Sequence, residues 1–139
     1  MTHDVTQSMR LSLDYDKIDK VAGQGVVPVI IQDYDTKEVL LLAYANREAL
    51  VKTWQTGELY LWSTSRNRLW HKGADESGNT FQFIEARVNC EQNSILAFVR
   101  PNKGGICHTK KNNGECRTTC FYRVITQDAD TLAFIPGEE

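Results

Sequence analysis

Val27-Pro28-Val29-Ile30-Ile31-Gln32-Asp33-Tyr34, Asp35-Thr36-Lys37-Glu38 and Val39-Leu40-Leu41-Leu42-Ala43-Tyr44-Ala45 follow one another without a break. The first run is rich in β-branched residues and predicts a strand. The polar tetrapeptide predicts a turn, and the second run the returning strand of a hairpin. Asn46 then offers an N-cap, Glu48 falls in the first turn after it, and Gly57 supplies a stop, so a helix is expected between them. Leu50 and Trp54 stand four apart and are expected to share its buried face.

Working outward, Leu59 to Thr64 alternates, with Leu59 and Leu61 opposite Tyr60 and Trp62. Leu69 to Lys72 predicts a short strand and Glu76-Ser77-Gly78-Asn79 a turn. Phe81 to Val88 also alternates, with Phe81, Phe83, Glu85 and Arg87 on one face and Gln82, Ile84, Ala86 and Val88 on the other. Ser94 to Val99, Phe121 to Ile125 and Thr131 to Ile135 predict further strands. Several antiparallel strands with one main helix indicate an α+β fold with a mostly antiparallel sheet. Residues 1–12 read as a flexible tail and 13–139 as one folded domain.

The net charge of −2 gives no bulk electrostatic case for nucleic acid or an anionic membrane. No apolar run is long enough to span a bilayer, and Met1 to Arg10 lacks the apolar core of a signal peptide. The cytoplasm is therefore the expected location, where thiols stay reduced. All four cysteines, Cys90, Cys107, Cys116 and Cys120, fall in one stretch. Reduced cysteines are often buried packing residues. Clustering beside His108 and glycines instead points to a metal, with zinc the natural partner of thiolate and imidazole. Three protein ligands would leave a position for a water that ionises near neutral pH; four cysteines would make a closed structural site. The spacings contain no paired C-x2-C knuckles, which weakens the structural reading.

Gly104-Gly105-Ile106-Cys107-His108-Thr109 with Cys120-Phe121-Tyr122-Arg123 resembles the zinc-binding end of the phosphoribosyl-AMP cyclohydrolase family of histidine biosynthesis. The resemblance runs in order through Val27 to Asp33, Val39 to Leu50, Trp62-Ser63-Thr64-Ser65-Arg66, Leu69-Trp70-His71-Lys72-Gly73 and Glu76-Ser77-Gly78-Asn79. It implies hydrolysis of the N1–C6 bond of the adenine ring of phosphoribosyl-AMP, giving a formimino-carboxamide ribonucleotide. It also implies that Cys90, Cys107 and Cys120 hold zinc in an intertwined homodimer, Cys90 meeting Cys107 and Cys120 of its partner. The chain is expected to be monofunctional.

Two departures stand out. Where the family carries aspartates assigned to magnesium, this chain has Asn89, Glu91 and Asn93. Only Glu91 is negative, and a hard cation prefers carboxylates. Magnesium is thus expected to bind weakly or mainly through substrate phosphates, and Asn89 and Asn93 read equally as turn residues. The family commonly has six residues between its last two cysteines; here Cys116 sits within a longer loop, as a bystander, a fourth ligand or a reactive thiol.

His108 is the candidate catalytic acid or base, or alternatively the group that orients a thiolate or the attacking water. The bisphosphorylated substrate implies anion contacts, for which Ser63, Ser65, Arg66, Lys72, Ser77, Gly78 and Arg123 are candidates. Lys110 and Lys111 read either as phosphate contacts or as a solvated loop. Trp62 and Trp70 read as stacking partners for the purine or as core. His71 is expected at the surface or the substrate's edge. Two other readings fit the same residues: a cyclohydrolase-like paralogue acting on another purine nucleotide, and a zinc-stabilised binding module without turnover.

Overall fold

The computed structural model describes residues 5–74, 78–103 and 105–139. In chain order they form α1 (Lys17–Val21), β1 (Val27–Asp33), β2 (Val39–Ala45), α2 (Arg47–Thr56), β3 (Tyr60–Ser63) and β4 (Arg68–His71). Then come β5 (Phe81–Val88), β6 (Ile95–Pro101), β7 (Arg123–Ile125) and β8 (Leu132–Phe134). One sheet has the strand order β2-β1-β6-β5, and β3-β4 and β7-β8 are separate two-stranded ribbons. This is an α+β fold with mostly antiparallel pairing. The exception is the central pair, because β1 runs parallel to β6.

The opening hairpin forms as its sequence predicts. Asp33 Oδ1 accepts from the N–H groups of Asp35 and Thr36 at 2.8 and 3.0 Å, closing the turn with the side chain that precedes it. Asn46 is extended, and its side chain accepts from Ala49 N at 2.9 Å, while Gly57 ends the helix at φ 76°. The buried face of α2 differs from expectation. Ala49 and Thr53 are buried, Leu50 is half-buried, and Trp54 is 58 % exposed over Phe83. Small residues let α2 lie close to β3, and Thr53 Oγ1 both donates to Ala49 O and accepts from Tyr60 N, each at 2.9 Å. A longer side chain at that position would hold the helix away from the strand.

The expected alternation of β5 is interrupted by a bulge. Phe83 pairs with Val99 but Glu85 pairs with Phe98, so Phe83 and Glu85 lie on opposite faces. The short helix α1 lies in a segment whose sequence carried no assignment. It ties Lys17 Nζ to Thr64 Oγ1 at 2.8 Å, on the β3–β4 turn. Of the segment read as a tail, residues 5–12 run beside β8: Leu132 N donates to Met9 O and Leu11 N to Asp130 O, both at 2.8 Å.

The core is built from Val29, Ile31, Leu41, Ala43, Leu61, Phe81 and Val99, and it continues directly into Ile106, Cys107 and Tyr122. The cysteine-bearing segment is thus packed into the core. Cys120 N donates to Leu40 O at 2.7 Å and Thr119 Oγ1 to Val39 O at 2.9 Å, lacing this segment to β2. No helix among the described residues is long and apolar enough to cross a membrane.

Candidate active site

Two turns face each other across a cleft of about 600 Å³. The β3–β4 turn supplies Ser63, Ser65 and Arg66, with Trp70 from β4; the opposite wall is His108, Lys110 and Cys116. Asn67 adopts φ 55°, which closes the first turn, and Ser63 Oγ accepts from Arg66 N at 3.2 Å. The second wall is itself a small hairpin. Lys110 bridges Cys116, Lys111 N donates to Glu115 O at 2.8 Å, and Ile106 N and Cys107 N donate to Arg117 O at 2.9 and 3.0 Å. Gly105 permits this closure, since a Cβ there would lie 2.4 Å from Cys116 Cβ and 2.7 Å from its carbonyl oxygen. The longer loop that sets Cys116 apart is therefore an ordered hairpin presenting His108 and Lys110 to the cleft.

Beside His108 in the chain, the Cys107 thiol interacts with that of Cys120. The bond from Cys120 holds Cys107 down at about 5, helped by the Thr109 hydroxyl at 3.0 Å, the Thr109 N–H at 3.5 Å and the charge of His108. The same bond pushes Cys120 up, as does crowding around its sulphur, although the residue as a whole is exposed; the charge of Lys72 opposes this. The two shifts run in opposite directions, so the pair favours one thiolate over two. Soft thiolates prepared in this way fit zinc. Two thiols do not make a site by themselves: among the described residues no three His, Cys, Asp or Glu side chains are grouped to hold a metal. Cys90 is exposed, in the turn between β5 and β6.

In that turn Asn89 Oδ1 accepts from the N–H groups of Asn93 and Ser94, both at 2.9 Å, and Asn89 Nδ2 donates to Asn93 Oδ1 at 2.6 Å. Both amide oxygens are engaged within the turn, and Glu91 is exposed.

The structure places the remaining sequence candidates as follows. Lys72 is 4 % exposed, its Nζ donating to Ile106 O at 3.2 Å and lying 5.4 Å from both the Trp70 and Phe81 rings. Its charge acts on Cys120, and it does not line the cleft. Arg123 Nη1 donates to Ser8 O and Val5 O at 2.6 and 2.9 Å, away from the cleft. Trp62 is outside the cleft lining, with Nε1 donating to Gln24 Oε1 at 3.3 Å. His71 bonds Glu58 at 2.7 Å and stacks on Tyr60. Gly78 adopts φ 73° in a turn that is not part of the cleft wall, and Ser77 lies outside the described residues. Thr109 and Arg117 were missed: they sit in a polar loop with no periodicity, and only the hairpin pairing shows which way they point.

Comparison with known proteins bears on this arrangement. The sequence model of the phosphoribosyl-AMP cyclohydrolase family matches residues 41–122. A phosphoribosyl-AMP cyclohydrolase of Cenarchaeum symbiosum is 49 % identical over 110 residues, covering 79 % of this chain and 94 % of that protein. One of Archaeoglobus fulgidus is 45 % identical over 105 residues, covering 76 % of this chain and 90 % of that protein. The histidine biosynthesis bifunctional protein HisIE of Aquifex aeolicus is 42 % identical over 106 residues, 76 % of this chain and 48 % of its own length. The matched span takes in the β3–β4 turn, the cysteine pair and the hairpin between them, and on this evidence the chain belongs to the phosphoribosyl-AMP cyclohydrolase family.

Proposed function

We propose that this chain hydrolyses the N1–C6 bond of the adenine ring of phosphoribosyl-AMP in histidine biosynthesis, giving the formimino-carboxamide ribonucleotide, in the cytoplasm. The observation that carries the reading is the cleft itself: groups suited to an anion on the β3–β4 turn share it with His108, whose charge acts on Cys107. Ser63, Ser65 and Arg66 suit a phosphate, and Trp70 offers a ring for the purine. Zinc, when held by Cys107 and Cys120 with Cys90 of a second copy, supplies Lewis-acid activation of the attacking water. His108 takes a proton from that water or returns one to the departing N1 nitrogen. Thr109 holds the Cys107 sulphur, and the charge of Lys72 favours ionisation of Cys120.

A homodimer follows from the same reading, because Cys90 is remote from its partners within one chain. The sheet offers a surface for it: Ile30 and Leu42 face each other in register and are 39 % and 48 % exposed. We assign magnesium a weak or phosphate-borne role, since Asn89 and Asn93 spend their oxygens in the turn.

The test is the absorbance change when phosphoribosyl-AMP is added to chelator-treated protein, then after zinc, then after magnesium. Turnover restored by zinc alone supports the full reading. A requirement for both metals would assign the Asn89–Asn93 turn a working metal site. No turnover with zinc bound would reject the activity, in favour of a paralogue on another purine nucleotide or a binding module.

A further inference from the structure

The hairpin has a second side. There a cleft of about 710 Å³ is lined by Arg117, Lys110 and His108, with Thr6, Gln7 and Asn112 around its rim. Arg117 is 6 % exposed. Its guanidinium lies over the Tyr122 ring at 4.2 Å and 5.5 Å from that of Phe134, and Nε donates to Glu138 O at 2.9 Å. That is its only side-chain hydrogen bond among the described residues, and it forms no ion pair with them. The Glu138 carboxylate accepts from the Thr118 hydroxyl and makes no ion pair with the guanidinium.

A buried cation without a counter-ion is costly. Stacking and one carbonyl account for the ring plane and for Nε, while the two terminal nitrogens keep their donors. Neither nitrogen is sealed from solvent, so the donors open toward the cleft. A planar fork of fixed donors with a lysine beside it is the arrangement that recognises a phosphate. His108 and Lys110 line both clefts, so the two meet at those residues.

We propose that this second cleft binds a phosphate group, and that the group is the second phosphate of the substrate. The molecule then straddles His108, one phosphate at Ser63, Ser65 and Arg66 and the other at Arg117 and Lys110. The assignment rests on the substrate class proposed above.

The test uses phosphoribosyl-AMP and its two analogues that each lack one phosphate, with zinc-loaded wild type, Lys110→Ala, Arg117→Lys and Arg66→Ala. Lys110→Ala and Arg117→Lys should raise KM about tenfold for the full substrate, with kcat little changed. For one analogue their effect should vanish; for the other it should persist, and Arg66→Ala should show the reverse pattern. Equal losses on all three substrates, or the same pattern for Arg66 as for Lys110, would overturn the proposal. Lys110 is exposed, so its variant carries the test should Arg117→Lys fail to fold. If wild type turns over none of the substrates, the proposed activity fails and the site is judged by binding alone. Wild type should then broaden the phosphorus NMR line of inorganic phosphate, the Lys110 and Arg117 variants should broaden it less, and combining either with Arg66→Ala should remove the remainder. Equal broadening by all of them, or phosphate binding that the nucleotide does not displace, would reject a substrate subsite.

Discussion

The ionisation of Cys107 and Cys120 is set by what surrounds them. Cys107 is 2 % exposed, yet its thiol ionises at about 5 because Cys120 donates to it and Thr109 adds a hydroxyl and an N–H. In metal-free protein, ultraviolet thiolate absorbance should therefore contain a step near pH 5 that Cys107→Ser abolishes. Cys120→Ala removes the largest cause and should move the step upward. The sign for stability follows: the folded value lies below the ordinary thiol value of 9.0, so this thiolate favours folding at higher pH and the benefit is lost as pH falls through about 5. Raised Cys120 acts in the opposite sense above 9.0. Gly105 makes a second prediction at this scale. A methyl there meets both Cβ and backbone of Cys116, so Gly105→Ala should lower stability by about 1–3 kcal/mol in denaturant titration and weaken substrate binding by displacing the hairpin.

At the scale of elements, α2 shows how local signals become structure. Asn46 satisfies the Ala49 N–H that the helix leaves open, and Gly57 provides the left-handed exit. Asn46→Ala should cost about 1 kcal/mol by chemical denaturation, with the zinc content of the refolded protein unchanged. These ends were legible because a cap and a glycine stop act within a few residues. The β1–β2 hairpin was legible for the same reason. The parallel register of β1 on β6 was not, since it joins Val29 to Ile95 across nearly half the chain and no local pattern encodes it. The bulge at Phe83–Glu85 reverses an alternation that the sequence carries unbroken. Leu50 packs against the core as expected, but Trp54 does not, because close approach to β3 required the smaller Ala49 and Thr53 at the centre of the face. In the candidate site, Ser63, Ser65, Arg66, Trp70 and His108 were named from residue type, and the structure brings them to one cleft. The burial of Lys72 and the diversion of Arg123 to the N-terminal segment depend on tertiary contacts that no residue type announces.

For the whole molecule, the decisive fact is that one chain holds only two of the three proposed zinc ligands together. Cys90 is exposed in the β5–β6 turn, while Cys107 and Cys120 sit against the core and β2. If the site is completed across a homodimer, Cys90→Ser and Cys107→Ser should each abolish turnover and lower zinc content. A heterodimer of the two variants has one site with both defects and one with neither, because the wild-type Cys90 of one chain meets the wild-type Cys107 and Cys120 of the other. Co-refolding equal amounts should make half the dimers mixed, so activity should return to about one quarter of wild type under random pairing in a two-fold assembly. A mixture of Cys107→Ser with Cys120→Ser should recover nothing, since those two ligands always come from the same chain. Recovery in that control, or none in the Cys90 and Cys107 mixture when light scattering shows dimers, would mean that zinc is not shared in this way. Charge on the open sheet provides an independent check, because Ile30→Asp and Leu42→Asp should shift the dimer toward monomer and release zinc with it, while leaving the β1–β2 hairpin folded.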